Sequence, residues 1–147
     1  MPEHQLAQLN IAKMKYGFED PELADFVAAL DDINALADES PGFVWRLQTD
    51  EGDATEIGFF GPDYLVNMSI WEDVESLRDY AFRSAHKDLL ARRNEWFDRM
   101  DEAYAVLWWV PAGTIPTLEE ASARLDSLRK LGPTAKAFTF KQLFDPE

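Results

Sequence analysis

The sequence carries one histidine away from its ends, and this histidine lies in a helical, aromatic segment. His86 stands within YAFRSAHKDLLARRNEWF, residues 80–97. At helical spacing it borders an apolar stripe that includes Leu89, Leu90 and Phe97. An imidazole titrates near neutral pH, so His86 is a candidate catalytic residue, as a general base, or an iron ligand. The alternative is a histidine at the core boundary that hydrogen-bonds to a backbone carbonyl.

Cations surround this histidine in a chain that is otherwise acidic. The net charge is −14, yet Arg83–Arg99 holds five basic against three acidic residues. Two pairs of opposite charge at a spacing of four residues account for part of this charge as a solvated helix surface. Arg83 is the candidate for binding a carboxylate or another negative group of a ligand.

Polar side chains interrupt the apolar faces of the first and third predicted strands. Because strand residues alternate between faces, Gln8 shares a face with Asn10, and Asn67 shares a face with Ser69. A few polar groups in an apolar cavity are what a small-ligand site requires. We therefore expect these side chains to face a cavity on the side of the sheet away from the helices. The alternative is a set of cross-strand hydrogen bonds that only fixes the strand register.

Aromatic residues of the predicted strands would supply the walls of this cavity. Trp45 lies in the second strand, Trp71 ends the third, and Trp108 or Trp109 lies in the fourth. In this interpretation Asn10 and Asn67 orient a polar group of the ligand. Asn10 is then a second candidate catalytic residue beside the histidine.

The hydrophobic pattern predicts the order β-α-β-β-α-β, followed by a further helix. Strands are predicted at 6–14, 43–49, 64–71 and 104–110, and caps are predicted at Asp20, at Asp73 and in a Thr117–Glu120 capping box. This order is typical of the ferredoxin-like split-βαβ arrangement, an α+β fold with an antiparallel sheet and here an extra C-terminal helix. One domain spanning residues 1–147 is expected from the length.

Apolar residues lie on both faces of the predicted sheet. Helices cover only one face of a ferredoxin-like sheet, so the other face would expose a large apolar patch. The simplest cover is a second copy of the same sheet, which predicts a homodimer. The alternative cover is the C-terminal helix and tail of the same chain.

The composition limits the classes of function. Phosphate contacts need clustered basic residues, so a net charge of −14 argues against nucleic-acid binding and against binding to an anionic membrane surface. With no cysteine and two histidines, a metal site is not expected. No apolar run approaches the roughly 20 residues of a membrane span, and the N-terminus lacks the pattern of a signal peptide. We expect a cytoplasmic protein.

Three motifs carry a resemblance to a known family: SPGFVWRLQ, RSAHK and LWWVPAG. With the segments around them, they resemble the domain-of-unknown-function 3291 family over nearly the whole chain. That family is similar to the dimeric alpha-beta barrel superfamily, which includes antibiotic-biosynthesis monooxygenases and haem-degrading monooxygenases. The resemblance implies two ferredoxin-like protomers joined sheet to sheet. It also implies a small-molecule pocket and a cofactor-independent, monooxygenase-like activity.

The same resemblance implies two alternatives. Haem-degrading relatives use an asparagine on the first strand, an aromatic residue on the helix after the third strand and a histidine further along it. Asn10, Tyr80 and His86 are the matching positions, with tyrosine where those relatives have tryptophan. The second alternative is a ligand-binding module without catalysis. We expect no cofactor, and haem is the alternative.

Overall fold

The fold is that of a computed structural model, which describes residues 3–15, 20–47, 64–83, 93–97 and 103–145. The strands are β1 (His4–Lys13), β2 (Phe43–Arg46), β3 (Tyr64–Trp71) and β4 (Ala105–Pro111). The helices are α1 (Ala24–Glu39), α2 (Val74–Arg83), α3 (Arg93–Trp96) and α4 (Leu118–Leu131). A short 3-10 turn, Pro21–Leu23, precedes α1. In the described part of the chain, no helix is long and apolar enough to cross a membrane.

The four strands form one antiparallel sheet in the order β2-β3-β1-β4. Central β1 and β3 flanked by β2 and β4 define the ferredoxin-like arrangement. The predicted α+β fold class and the extra C-terminal helix are confirmed. Strand β2 ends at Arg46, earlier than predicted, and its pairing with β3 shifts register between Phe43 and Trp45.

Side-chain caps begin the helical segments where the sequence predicts them. The backbone N–H of Glu22 donates to Asp20 (2.9 Å), that of Ser76 to Asp73 (2.8 Å) and that of Glu120 to Thr117 (3.1 Å). Each bond satisfies a backbone donor that the first turn of a helix leaves unpaired. Gly132, at a φ of 75°, follows the last residue of α4 and ends it.

One face of the sheet is mainly apolar and lies under α4, and we call it the α4 face. Helix α4 packs against it through Ala121, Leu125 and Leu128. Nine apolar strand residues on this face are at most 3% exposed: Ala7, Leu9, Ile11, Val66, Met68, Ile70, Val106, Trp108 and Val110. The periodicity of α4 and the alternation of the strands together produce this closed contact.

The α4 face is covered by a different element from the one expected from the sequence. A second copy was expected to cover the face that α1 and α2 leave bare, whereas α4 of the same chain packs on it. The alternative cover, the C-terminal helix of the same chain, is therefore the one that the structure shows. The reason given for a homodimer falls away, and the homodimer itself stays a prediction.

Helices α1 and α2 contact the opposite face, which we call the groove face. Near one end of the strands, Leu6 and Trp71 cluster with Ala37 of α1 and Leu77 of α2. Near the other end, a separate cluster joins β1 to α1 and to the segment that contains α3: Ala12, Met14, Leu23, Phe26, Trp96 and Phe97. The region between these two clusters holds the polar residues described next.

The C-terminal tail returns to the outer edge of β4. Leu107 and Phe138 exchange two backbone hydrogen bonds, of 2.7 and 2.9 Å. The indole N–H of Trp109 donates to the carbonyl oxygen of Phe144 at 2.8 Å. The tail pairs with β4 through this one isolated bridge, and Phe138 is fully buried against the groove face.

Candidate ligand-binding groove

The four polar residues of β1 and β3 form two facing pairs on the groove face. Gln8 faces Ser69, and Asn10 faces Asn67. The prediction that they share one face is confirmed, but the prediction that this face points away from the helices is wrong. The physical reason is strand alternation: Trp71 shares their face and packs on α1 and α2 through Ala37 and Leu77.

Gln8 is the centre of a hydrogen-bond network among these residues. Its Nε2 donates to Asn67 Oδ1 at 2.6 Å and to Ser69 Oγ at 2.8 Å. Its Oε1 accepts from Asn10 Nδ2 at 3.0 Å. The indole Nε1 of Trp71 adds a bond of 2.8 Å to Ser69 Oγ. Gln8 therefore uses both amide hydrogens and its carbonyl oxygen inside the network, which fixes its rotamer.

Solvent reaches this network along one row of residues. The strand register places Asn67, Asn10 and Ala105 side by side across β3, β1 and β4. Asn67 and Ala105 are exposed and Asn10 is half-buried, although these strands are otherwise largely buried on this face. One row further along the strands, Gln8 and Ser69 are only 7% and 6% exposed. This row is a partly exposed strip between the two apolar clusters of the groove face, and we call it the groove.

An aromatic stack adjoins the polar network at its α2 end. The ring of Trp71 is fully buried and stacks on Tyr80, with centroids 5.1 Å apart. Phe43 of β2 meets the same indole edge-on at 5.4 Å. Because Trp71 also donates to Ser69, the aromatic stack and the polar network share one rigid side chain.

Burial raises the pKa of Tyr80 to about 12, with opposing smaller effects from Arg46, which lowers it, and Asp38, which raises it. Those two residues form an ion pair of 2.8 Å between β2 and the end of α1. The phenol therefore stays neutral at physiological pH and can act as a hydrogen-bond donor. Its ring is held between the helix layer and the sheet, where a ligand in the groove would meet the stack.

A second aromatic group bounds the groove on the opposite side. Phe26 of α1 lies 5.3 Å from the ring of Trp96 and 5.0 Å from that of Phe97. Met14 belongs to the same buried cluster. The polar row thus lies between two apolar walls, an arrangement that suits a flat ligand with a few polar atoms.

Two predicted wall residues do not join the groove. Trp45 and Trp108 lie with the α4 face, on the far side of the sheet from Asn67. Trp108 is fully buried, and its indole donates to Glu120 of α4 at 3.0 Å. Its environment therefore ties β4 to α4. Trp109, the stated alternative to Trp108, does lie on the groove face.

The structure brings together Asn10, Asn67, Trp71 and Tyr80 on the groove face. Helix α2 ends at Arg83, whose side chain is outside the described set, and His86 lies outside the described residues. Their predicted roles stay predictions. Ala105 and the central position of Gln8 were missed, because both depend on the register of strands that are distant in the sequence.

A second concave region lies between the end of α1 and the start of α2. It is an open cleft of about 440 Å³, lined by Ser40, Pro41, Asp73, Glu75, Ser76, Asp79 and Tyr80. Its ionisable lining is acidic, and within the described residues no group of three or more His, Asp or Glu side chains could hold a metal ion. The cleft lacks the buried polar network of the groove, so the groove is the better candidate site.

The fold and the groove define the chain as a ferredoxin-like α+β protein with a polar row between its sheet and its helices. The family comparison is more specific, since the family model described as "Domain of unknown function (DUF3291)" matches residues 5–147. The chain therefore belongs to the DUF3291 family, as its motifs predict. A comparison with curated proteins finds no match.

Solved structures with a similar fold include proteins of several organisms. A protein of unknown function from Nitrosomonas europaea has a TM-score of 0.49 at 15% identity, covering 78% of this chain and 97% of that one. SnoaB, a cofactor-independent oxygenase from Streptomyces nogalater, has 0.45 at 16%, covering 77% and 98%. A conserved protein from Methanosarcina mazei Go1 has 0.48 at 16%, covering 74% and 93%. Similarity at this level carries no argument about activity.

Proposed function

We propose that this chain binds a small planar molecule in the groove between its sheet and its helices. The observation that carries the proposal is the exposed polar row in the middle of an otherwise buried apolar face. Asn67 and Asn10 would bind polar atoms of the ligand, and Tyr80, which stacks on the fully buried Trp71, would contact its ring.

The reaction proposed for this site is a cofactor-independent, monooxygenase-like oxidation. An activated CH₂ group of the ligand and O₂ would become a carbonyl group and water. One oxygen atom enters the product, the other leaves as water, and the ligand supplies all the electrons. Asn10 would hold the ligand oxygen on which negative charge develops, and His86 is the proposed proton acceptor. Arg83 would pair with a negative group of the ligand. This step rests on the resemblance of the sequence motifs, and the groove supplies the apolar, hydrogen-bonding environment that it requires.

Haem binding is the second candidate, because the family resemblance matches Asn10, Tyr80 and His86 to haem-degrading relatives. His86, the residue that would bind the iron, lies outside the described residues, so this candidate rests on the resemblance and is decided by titration with hemin. A non-enzymatic binding module fits the same groove without any reaction.

A homodimer and a cytoplasmic location belong to the same proposal. The acidic surface expected from a net charge of −14 disfavours nucleic acid and membrane partners. Sedimentation at several protein concentrations tests the homodimer, and a monomer at all of them would remove it.

Binding and turnover can be tested separately. We expect a panel of planar phenols to shift the NMR signals of Asn10 and Asn67, and oxygen uptake to accompany binding of the oxidisable members. Asn10→Ala and His86→Ala should reduce uptake at an unchanged melting temperature, with the exposed Gln142→Ala as the control. Shifts without oxygen uptake would favour the binding module, and a Soret shift on adding micromolar hemin would favour haem.

A further inference from the structure

We propose that Gln8 ties the orientation of Asn10 to that of Asn67, so that the groove always offers a ligand one donor group and one acceptor group. The inference rests on the proposed binding site and specifies the ligand class: a planar molecule with a hydrogen-bond donor and an acceptor on one edge. It follows from the hydrogen-bond inventory of three amides, one hydroxyl and one indole.

The inventory assigns an outward group to each asparagine. Gln8 binds the Oδ1 of Asn67, so the Nδ2 of Asn67 is the group left to face the groove as a donor. Gln8 also binds the Nδ2 of Asn10, so the Oδ1 of Asn10 is left as an acceptor. Gln8 is 7% exposed, and its two donated bonds and one accepted bond lie on opposite sides of one planar amide, so reversing one bond reverses the others.

The network has one alternative arrangement. If Gln8, Asn10 and Asn67 all turn their amides over and Ser69 donates its hydroxyl hydrogen to Gln8, every bond is remade with donor and acceptor exchanged. The indole of Trp71 only donates, and it bonds to Ser69 Oγ in both arrangements. The alternative presents the Oδ1 of Asn67 and the Nδ2 of Asn10, which is again one donor and one acceptor. Two donors or two acceptors never face the groove together.

The distance between Asn10 and Asn67 limits the class of ligand further. Asn10 and Asn67 are directly opposed in the antiparallel pair, so their Cα atoms are about 5 Å apart. Two oxygen atoms in meta positions of one aromatic ring have a comparable separation, so each could meet the side chain of one asparagine. A ring that carries one hydroxyl group and one carbonyl or ether oxygen in this relation would satisfy both side chains.

The test uses resorcinol, its monomethyl ether and its dimethyl ether as probes, which offer two, one and no hydroxyl donors. With the wild-type chain we expect resorcinol and the monomethyl ether to bind within about threefold of each other. The dimethyl ether should bind about tenfold more weakly, since it lacks a donor for the acceptor asparagine. Titration followed by side-chain amide signals in ¹H–¹⁵N spectra measures all three affinities.

Two variants of Gln8 are expected to change the order of the three affinities in different ways. Gln8→Glu offers only acceptors, so both asparagines turn their carbonyl oxygens outward, and the monomethyl ether should fall about tenfold below resorcinol. Gln8→Met keeps the side-chain volume but removes the hydrogen bonds that link Asn10 to Asn67. Each asparagine can then turn its amide independently, so the difference in affinity between the two ethers should vanish. Gln5→Glu, on the same strand but bonded to Gly113 through its acceptor oxygen, is the matched control and should keep the wild-type ranking.

Each result decides a different claim. If the wild-type chain binds none of the three probes at millimolar concentration, the proposed groove site is overturned together with this inference. If it binds all three equally, or if a folded Gln8 variant keeps the wild-type ranking, the inference is overturned while the groove stands. Thermal melts establish that each variant is folded, and Gln8→Met remains available if the buried charge of Gln8→Glu unfolds the chain.

Discussion

The two faces of the sheet are built from the same strands but differ in role: one forms the core, and the other holds the candidate site. The α4 face is closed by Ala121, Leu125 and Leu128, and nine of its apolar strand residues are almost fully buried. The groove face has two apolar clusters with a polar, partly exposed row between them. Strand alternation lets one face hold the core while the other keeps a site, because a substitution on one face leaves the other nearly unchanged. Four substitutions test this division.

The largest effect is expected on the α4 face. Leu125→Ala should lower the free energy of unfolding by about 3 kcal/mol, because Leu125 is 1% exposed and its removal leaves a cavity under α4. Leu131→Ala in the same helix is the control, since Leu131 is 73% exposed and should change stability by less than about 0.5 kcal/mol. Urea unfolding measures both, and equal losses would mean that α4 is not docked as described.

A substitution at Gly42 tests how closely α2 packs against the turn before β2. Gly42 has a φ of +81°, and a Cβ placed there would clash with the side chain of Ser76 at the start of α2. Gly42→Ala should therefore cost about 2 kcal/mol, whereas Gly113→Ala, with a φ of +86° and open space around it, should cost only about 1 kcal/mol. Urea midpoints of the two variants provide the comparison, and a smaller loss at Gly42 would contradict the close approach of α2.

Tyr80 makes the stability of the groove face depend on pH. Its folded pKa of about 12 lies above the ordinary value of about 10, so the folded state holds the proton more tightly than the unfolded state. The resulting stabilisation is fully present below pH 10 and is lost as the pH rises toward 12. It should amount to at most about 2 kcal/mol, because the side chain keeps some contact with solvent. Tyr80→Phe should lack this loss, and identical pH profiles of the two proteins would contradict the burial of the hydroxyl.

The smallest effect on stability is expected in the polar row. Asn67 is exposed, and the main cost of its truncation is the lost bond from Gln8 Nε2, so Asn67→Ala should lower the free energy of unfolding by about 1 kcal/mol. Binding of resorcinol should nevertheless weaken about tenfold, since a ligand hydrogen bond is lost. Calorimetric melting and NMR titration on one sample separate the two effects. A large drop in melting temperature would mean that Asn67 is structural.

The sequence predicts most of the scaffold because its signals are local. Alternation and capping residues such as Asp73 and Thr117 act within a few positions, so the strands and helix starts could be located. The shared face of the four polar residues also followed from alternation. Which helices cover that face did not follow, since apolar residues on both faces of a strand give no indication of which helix packs on which side.

The candidate site was harder to predict because it depends on register. Trp45, Trp71 and Trp108 look alike in the sequence, yet only Trp71 lies on the groove face. The register shift between Phe43 and Trp45 changes the alternation of β2 relative to β3, and no local sequence pattern predicts it. Gln8 becomes the centre of the network only once β1 is known to pair with β3.

The bridge between Leu107 and Phe138 protects the chain against self-association through its backbone. A strand at the border of a sheet offers unpaired amides to any other polypeptide, which is a common start of aggregation. Here the polypeptide itself occupies part of that border next to β4. A proteolytic cut after Leu131 would expose the border and leave the protein prone to precipitate, even with every residue of the groove intact.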